Sequence, residues 1–152
     1  MTKDDKYLLG VLWKFGTIKP GTNQFVFQSY DKYDQMEYIR KRLAPDKVIK
    51  VSERKDPRSG EVKTLYRLNF TNADWADKVR MYEGVNAEKI IDKDFVRGFL
   101  ETKATINTSN TIKRYTLSGS PDEIKLTSAY LNKNFGLNDN KIRDVRRDEF
   151  YV

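Results

Sequence analysis

A chain of 152 residues with no histidine and no cysteine leaves only carboxylates, lysines and tyrosines to do chemistry. Nucleophile systems of the Ser-His and Cys-His kind, thiolate chemistry, disulfides and every His-containing zinc site are excluded. What remains is acid–base work by Asp, Glu, Lys or Tyr, with or without a hard metal such as magnesium. The 29 basic residues against 22 acidic ones give a net charge of +7. A polyanion partner fits that balance, although many soluble domains carry as much. Distribution says more than the total. From Val48 to Thr71 there are six basic and three acidic residues, and "KIRDVRR" (Lys141 to Arg147) has four and one. Both segments read as strands, and basic strands facing one way can grip phosphates. Solvated strand faces also carry Lys and Arg, so charge alone does not decide.

The elements that must position these residues follow from periodicity. Aromatic content of 12% and hydrophobic content of 38% argue for a folded domain. Apolar residues at Tyr7, Leu8, Val11, Leu12 and Phe15 have helical spacing, and Gly16 stops the run. A short strand, the "PGTN" turn and "QFVFQSY" predict a hairpin. Asp31 or Asp34 is expected to cap a helix with Met36, Ile39 and Leu43 on one face, ending at Pro45. "KVIKVSER", the "KDPRSG" turn and "EVKTLYRLNF" predict a second hairpin. A helix capped by Thr71 or Asn72 should turn Trp75, Val79 and Tyr82 inward.

The pattern then repeats. "DKDFVRGFLET" predicts a helix burying Phe95, Phe99 and Leu100, followed by the hairpin "ATIN"-"TSN"-"TIKRYTLSG". Ser120 is the expected cap, Pro121 the first turn and Gly136 the stop of the next helix, and "KIRDVRRDEFYV" supplies strand material to the end. At an offset of 88 residues (10 to 98), Gly10 falls on Gly98, Leu12 on Leu100, Met36 on Ile124 and Leu43 on Leu131. The expected fold is α+β, a duplicated αββαββ unit with residues 1–87 as the first repeat and 88–152 as a second, truncated one lacking a counterpart of the Trp75 helix. No stretch is apolar enough to span a membrane and the start "MTKDDK" is no signal peptide, so a cytoplasmic protein without a membrane partner is the expectation.

"LLGVLWKFG" (Leu8 to Gly16) and "VRGFLETKA" (Val96 to Ala104) resemble the paired signatures of LAGLIDADG homing endonucleases, and the order of elements behind each resembles that family too. The resemblance implies two signature helices packed together, with Gly10 and Gly98 at their interface, and two curved antiparallel sheets forming a saddle over double-stranded DNA. Glycine suits such an interface because a missing side chain lets helix backbones approach closely. In the family the penultimate signature position is an acid that holds divalent metal. Here those positions are Phe15 and Lys103, and Glu101 lies about 200° round the helix from Lys103. The resemblance therefore implies a scaffold with neither catalytic acids nor a metal cofactor. Phe15 reads as core filler. Lys103 reads either as a phosphate contact or as a helix-end cation complementing the macrodipole.

On that resemblance the expected DNA contacts are Lys50, Ser52, Arg54, Lys63 and Arg67 in the first half, with Lys103, Arg114, Thr116, Arg143 and Arg147 in the second. A one-residue slip would turn the opposite set outward. Lys55 and Arg58, in the "KDPRSG" turn, are in reach of flanking backbone. No evenly spaced exposed aromatic set suggests a platform for single strands. Three readings follow: a non-cleaving DNA-binding protein, for instance a regulator; a magnesium-dependent homing endonuclease with displaced acids; and an interaction module that holds RNA or a protein on the same scaffold.

Overall fold

The computed structural model describes residues 1–13, 15–82, 91–109, 112–119, 121–136, 143–144 and 150–151. They form two compact units, one of Met1–Val11 with Gly84–Val152 and one of Leu12–Glu83.

The second of these is built on a four-stranded antiparallel sheet. Strands β1 (Thr17–Ile18) and β2 (Gln24–Ser29) form the first hairpin, with Gly21 at φ 69° in its turn. Helix α2 (Tyr33–Leu43) leads to β3 (Lys50–Lys55) and β4 (Val62–Thr71), and α3 (Ala73–Met81) follows; the strand order is β1-β2-β4-β3. Alternation sends Phe25, Phe27, Leu68 and Phe70 to one side of this sheet. All four are nearly sealed from solvent, as are Met36 and Ile39 of α2 and Ala76 and Val79 of α3. Three of the phenylalanines stack at ring-centroid distances of 5.1, 5.9 and 6.0 Å. Asn72 caps α3 by accepting a hydrogen bond from the Trp75 amide at 3.2 Å. Trp75 and Tyr82, expected inward, are only half-buried.

The N-cap of α2 is Lys32, with no side-chain capping bond, and not Asp31 or Asp34. Asp31 is engaged in the preceding turn, where it accepts the Ser29 hydroxyl at 2.9 Å, and Asp34 lies inside the first turn, where its charge still complements the helix dipole.

In the other unit, α1 (Lys3–Leu12) starts four residues before its apolar stripe. Thr2 and Asp5 form a reciprocal cap, each side chain accepting from the other's amide at 3.1 Å. Helix α4 (Lys93–Lys103) is capped by Asp92, whose carboxylate accepts the Asp94 and Phe95 amides at 3.0 Å. Leu100 is half-buried, whereas Phe95, Val96 and Phe99 are sealed. Strands β5 (Ala104–Ser109) and β6 (Ile112–Gly119), helix α5 (Pro121–Phe135), β7 (Arg143–Asp144) and β8 (Phe150–Tyr151) complete the unit. Its sheet order, β5-β6-β8-β7, has the form of the first. Gln24 and Ile112 open equivalent strands and Tyr33 and Pro121 equivalent helices, each pair 88 positions apart (24 to 112, 33 to 121). The closing run is two short strands, not one: β8 pairs antiparallel with both β6 and β7. Gly136 ends α5 at φ 61°; Ser120, its expected cap, lies outside the described residues.

Helices α1 and α4 meet backbone to backbone. A Cβ added to Gly10 would lie 2.0 Å from the Phe95 carbonyl oxygen, and one added to Gly98 would lie 2.2 Å from that of Tyr7. Around this crossing Lys6 pairs with Asp92 at 2.5 Å, the Tyr7 hydroxyl donates to Glu101, and the Arg97 guanidinium lies 4.4 Å over the Tyr7 ring. Partial burial alone would raise the Asp92 carboxyl, but the Lys6 ammonium and the two capping amides outweigh it and hold its pKa below the ordinary value.

Two predictions follow from this crossing. Replacing an exposed helical glycine with alanine stabilises by up to about 1 kcal/mol, whereas Gly10→Ala here should destabilise by about 1–3 kcal/mol through overpacking. Denaturant midpoints decide between the signs. Asp92→Asn keeps the cap and removes the charge. Because the folded carboxyl is depressed, its contribution is complete above the unfolded pKa of about 4 and disappears as pH falls through the folded value. The variant should therefore be less stable than the parent at pH 7 and should match it near pH 2, as read from urea midpoints.

Candidate functional site

The side of the β1-β2-β4-β3 sheet opposite the phenylalanines carries a different population. Register places Lys50 directly across from Arg67, Ser52 from Leu65 and Arg54 from Lys63, so the five first-half residues singled out from the sequence share one face with Leu65. Gln28 stands on the other side of Arg67, Asn69 faces Val26, and Gln24 faces Thr71. The same side thus holds four cations followed by a run of amide and hydroxyl groups. Gln24, Gln28 and Asn69 carry no charge to mark them in the sequence, and only the period-two pattern signals their face. Two apolar side chains share this face, Val26, half-buried, and Leu65, only 3% exposed.

Every residue of β3 is exposed, and so are Val62, Lys63 and Thr64 of β4. This part of the sheet is a two-stranded ribbon open on both faces. Its turn is tight: Asp56 accepts the Arg58 amide at 2.8 Å, its own amide bonds to the Glu61 carbonyl, and Gly60 adopts φ 72°. The Arg58 amide, and then the Ser59 amide and Lys63, lower the Asp56 pKa against a smaller opposing effect of burial.

The electrostatics of the face are unbalanced. Lys63 has a counter-charge in Asp56 at 3.6 Å. Among the described residues, Lys50, Arg54 and Arg67 have none. Arg40 and Arg80 of the same unit are committed. Arg40 makes two bonds to Glu37, at 2.7 and 2.8 Å, and two to the Pro45 and Lys47 carbonyls, while Arg80 bonds to Asn23 and Thr22. Arg67 differs again, because its Nε is sealed from solvent with no hydrogen-bond partner among the described residues. Like charges directly opposed on a sheet destabilise it. This face holds two such pairs.

The remaining predicted residues are placed as follows. Lys103 is the last residue of α4; Arg114 and Thr116 lie in β6 opposite Asn107 and Thr105; Arg143 lies in β7 opposite Tyr151. Arg147 lies outside the described residues. The two positions where metal-holding acids would be expected do not suit a cation. Phe15 offers no oxygen, and its ring packs against Phe27 at 5.4 Å. Lys103 is itself positive, and Glu101 is tied to Tyr7 and Arg97. This donor set does not fit a divalent metal. Among the described residues there is also no group of three or more acids placed to hold one, and no helix is long and apolar enough to cross a membrane.

If Phe15 is core rather than a displaced ligand position, Phe15→Asp should destabilise the protein by about 1–3 kcal/mol and Phe15→Leu by less than about 1.5 kcal/mol. Equal stability of the two variants by thermal denaturation would contradict that.

The sequence matches no protein-family model and no curated protein. Solved structures do match. The N-terminal LAGLIDADG domain of DUF199/WhiA aligns with 100% of this chain and 76% of its own, at TM-score 0.62 and 14% identity. Against full-length DUF199/WhiA from Thermatoga maritima the figures are 99%, 50%, 0.61 and 14%, so this chain spans half the length of that protein. The homing endonuclease I-WcaI bound to its DNA recognition sequence aligns with 99% of this chain and 75% of its own, at TM-score 0.66 and 16% identity. I-DmoI in complex with DNA and Mn gives 98%, 87%, 0.53 and 14%. The chain has a LAGLIDADG homing-endonuclease-like fold.

Proposed function

We propose that this chain is a double-stranded DNA-binding protein on a homing-endonuclease scaffold that has lost its metal-holding cleavage acids, and that it acts as a reader or regulator occupying its site without cutting. The observation that carries this reading is the cationic face of β3 and β4. Two opposed like-charged pairs, Lys50–Arg67 and Arg54–Lys63, weaken the free protein and become favourable once a polyanion lies across them.

Shape supports the same partner. A two-stranded ribbon open on both faces has the dimensions the major groove admits. The same-face residues of β4 continue from this ribbon into the four-stranded sheet, and from Lys63 to Thr71 they span roughly 26 Å at about 3.3 Å per residue, close to the length of eight base pairs at about 3.4 Å each. Charge leads at the hairpin end, where Arg54 and Lys63 suit phosphates, and amides follow at Gln28, Asn69 and Gln24, which suit base edges. The solved relatives bound to DNA favour duplex over other polyanions. We assign Lys103, Arg114, Thr116 and Arg143 the corresponding role in the second half, and the cytoplasm, which suits a chain without cysteine, as the place of action.

A randomised duplex library, presented with magnesium at two salt concentrations, tests the reading. Uncut duplex should be retained at low salt and released as salt rises. Lys50→Ala and Arg54→Ala should each reduce the slope of log affinity against log salt by about one. Magnesium-dependent cleavage would make the protein a nuclease after all. Failure to retain duplex at low salt would remove DNA as the partner.

A further inference from the structure

We infer that Arg67 is the residue of this face that specifies sequence, by reading the edge of a single guanine, while Lys50, Arg54 and Lys63 grip backbone. The inference rests on the duplex-binding reading and gives one residue of that face its own role.

Three observations separate Arg67 from its neighbours. It is half-buried, whereas Lys50, Arg54 and Lys63 are exposed. Its Nε is sealed without a hydrogen bond, and its two terminal nitrogens, which make no hydrogen bond either among the described residues, are not sealed. It also stands in the middle of the sheet, between Gln28 on β2 and Lys50 on β3. A cation held half out of water with a second cation across from it is costly, and packed apolar side chains commonly replace such groups without loss. Arg40 and Arg80 show how this fold satisfies an arginine when the role is structural.

Sealing Nε fixes the stem and leaves a planar, two-pronged donor. Two parallel N–H groups match the O6 and N7 acceptors of guanine, and this pairing discriminates among bases where a lysine ammonium does not. Phosphates offer a similar bidentate match, but they line the rims of a groove, while Arg67, flanked by β2 and β3, stands away from the edges of this face. Gln28 beside it belongs to the residue types that read base edges.

The test uses Arg67→Met, which keeps the stem volume, with Arg67→Lys and Lys50→Met as controls. Without DNA, Arg67→Met should raise Tm by about 2–5 °C by removing an uncompensated cation. A lower Tm would mean that the guanidinium is a structural group, and would overturn the inference. Duplexes recovered by the wild type from the randomised library should share a G·C pair that it prefers at least tenfold over the other pairs. Arg67→Met and Arg67→Lys should lose that preference, while Lys50→Met should weaken all duplexes alike and keep it. If Arg67→Met instead weakens all duplexes equally, the inference fails and the duplex reading stands. If the wild type retains no duplex, both fail.

Discussion

The pleat of β4 governs the sheet and its candidate site together. Along Val62–Thr71 the residues alternate between Leu68 and Phe70, sealed on one side, and Lys63, Arg67 and Asn69 on the other. The pairings Phe27–Leu68 and Phe25–Phe70 lock that alternation through stacked rings. Slipping β4 by one residue would bring Arg67 into the phenylalanine layer and expose Leu68, at a cost of several kcal/mol in desolvated charge and lost burial. Core packing thus enforces a face that electrostatics alone would disfavour. On β4 that packing fixes Arg67 on the face where Lys50 stands opposite it.

A second constraint, backbone contact, sets the other unit. Gly10 and Gly98 let α1 and α4 meet where a single added carbon would strike a carbonyl oxygen. Side chains around the crossing are used for cohesion: Lys6 with Asp92, Tyr7 with Glu101, and Arg97 over the Tyr7 ring. Glu101 is engaged in this way and Phe15 in aromatic packing on Phe27, so acid and ring alike serve the fold.

Much of this was legible in the sequence, and the rest was hidden for physical reasons. Glycine spacing and the 88-residue offset follow from which residues permit close approach and regular periodicity, both local properties. Asn72 was legible as a cap because Asx residues favour that position. The Thr2–Asp5 cap leaves no hydrophobic mark, since the apolar stripe begins only at Tyr7 and the first turn is polar. Of the two carboxylates beside the start of α2, Asp31 is taken by the Ser29 turn, which local pattern does not distinguish from a cap. That Lys50 opposes Arg67 depends on hairpin register, which strand patterns alone do not fix. The burial of Leu65 and of the Arg67 Nε is a tertiary property, with no trace in local pattern.

The most direct test of the account is a ¹⁵N chemical-shift titration of the intact chain with duplex DNA at low salt. The account predicts that perturbed amides cluster on Lys50–Arg54 and Lys63–Arg67, with Gln28 and Asn69 following, and that added salt reverses the shifts. Perturbations confined to α2 and α3, or none at all, would contradict the claim that the cationic face of this sheet is where the protein meets its partner.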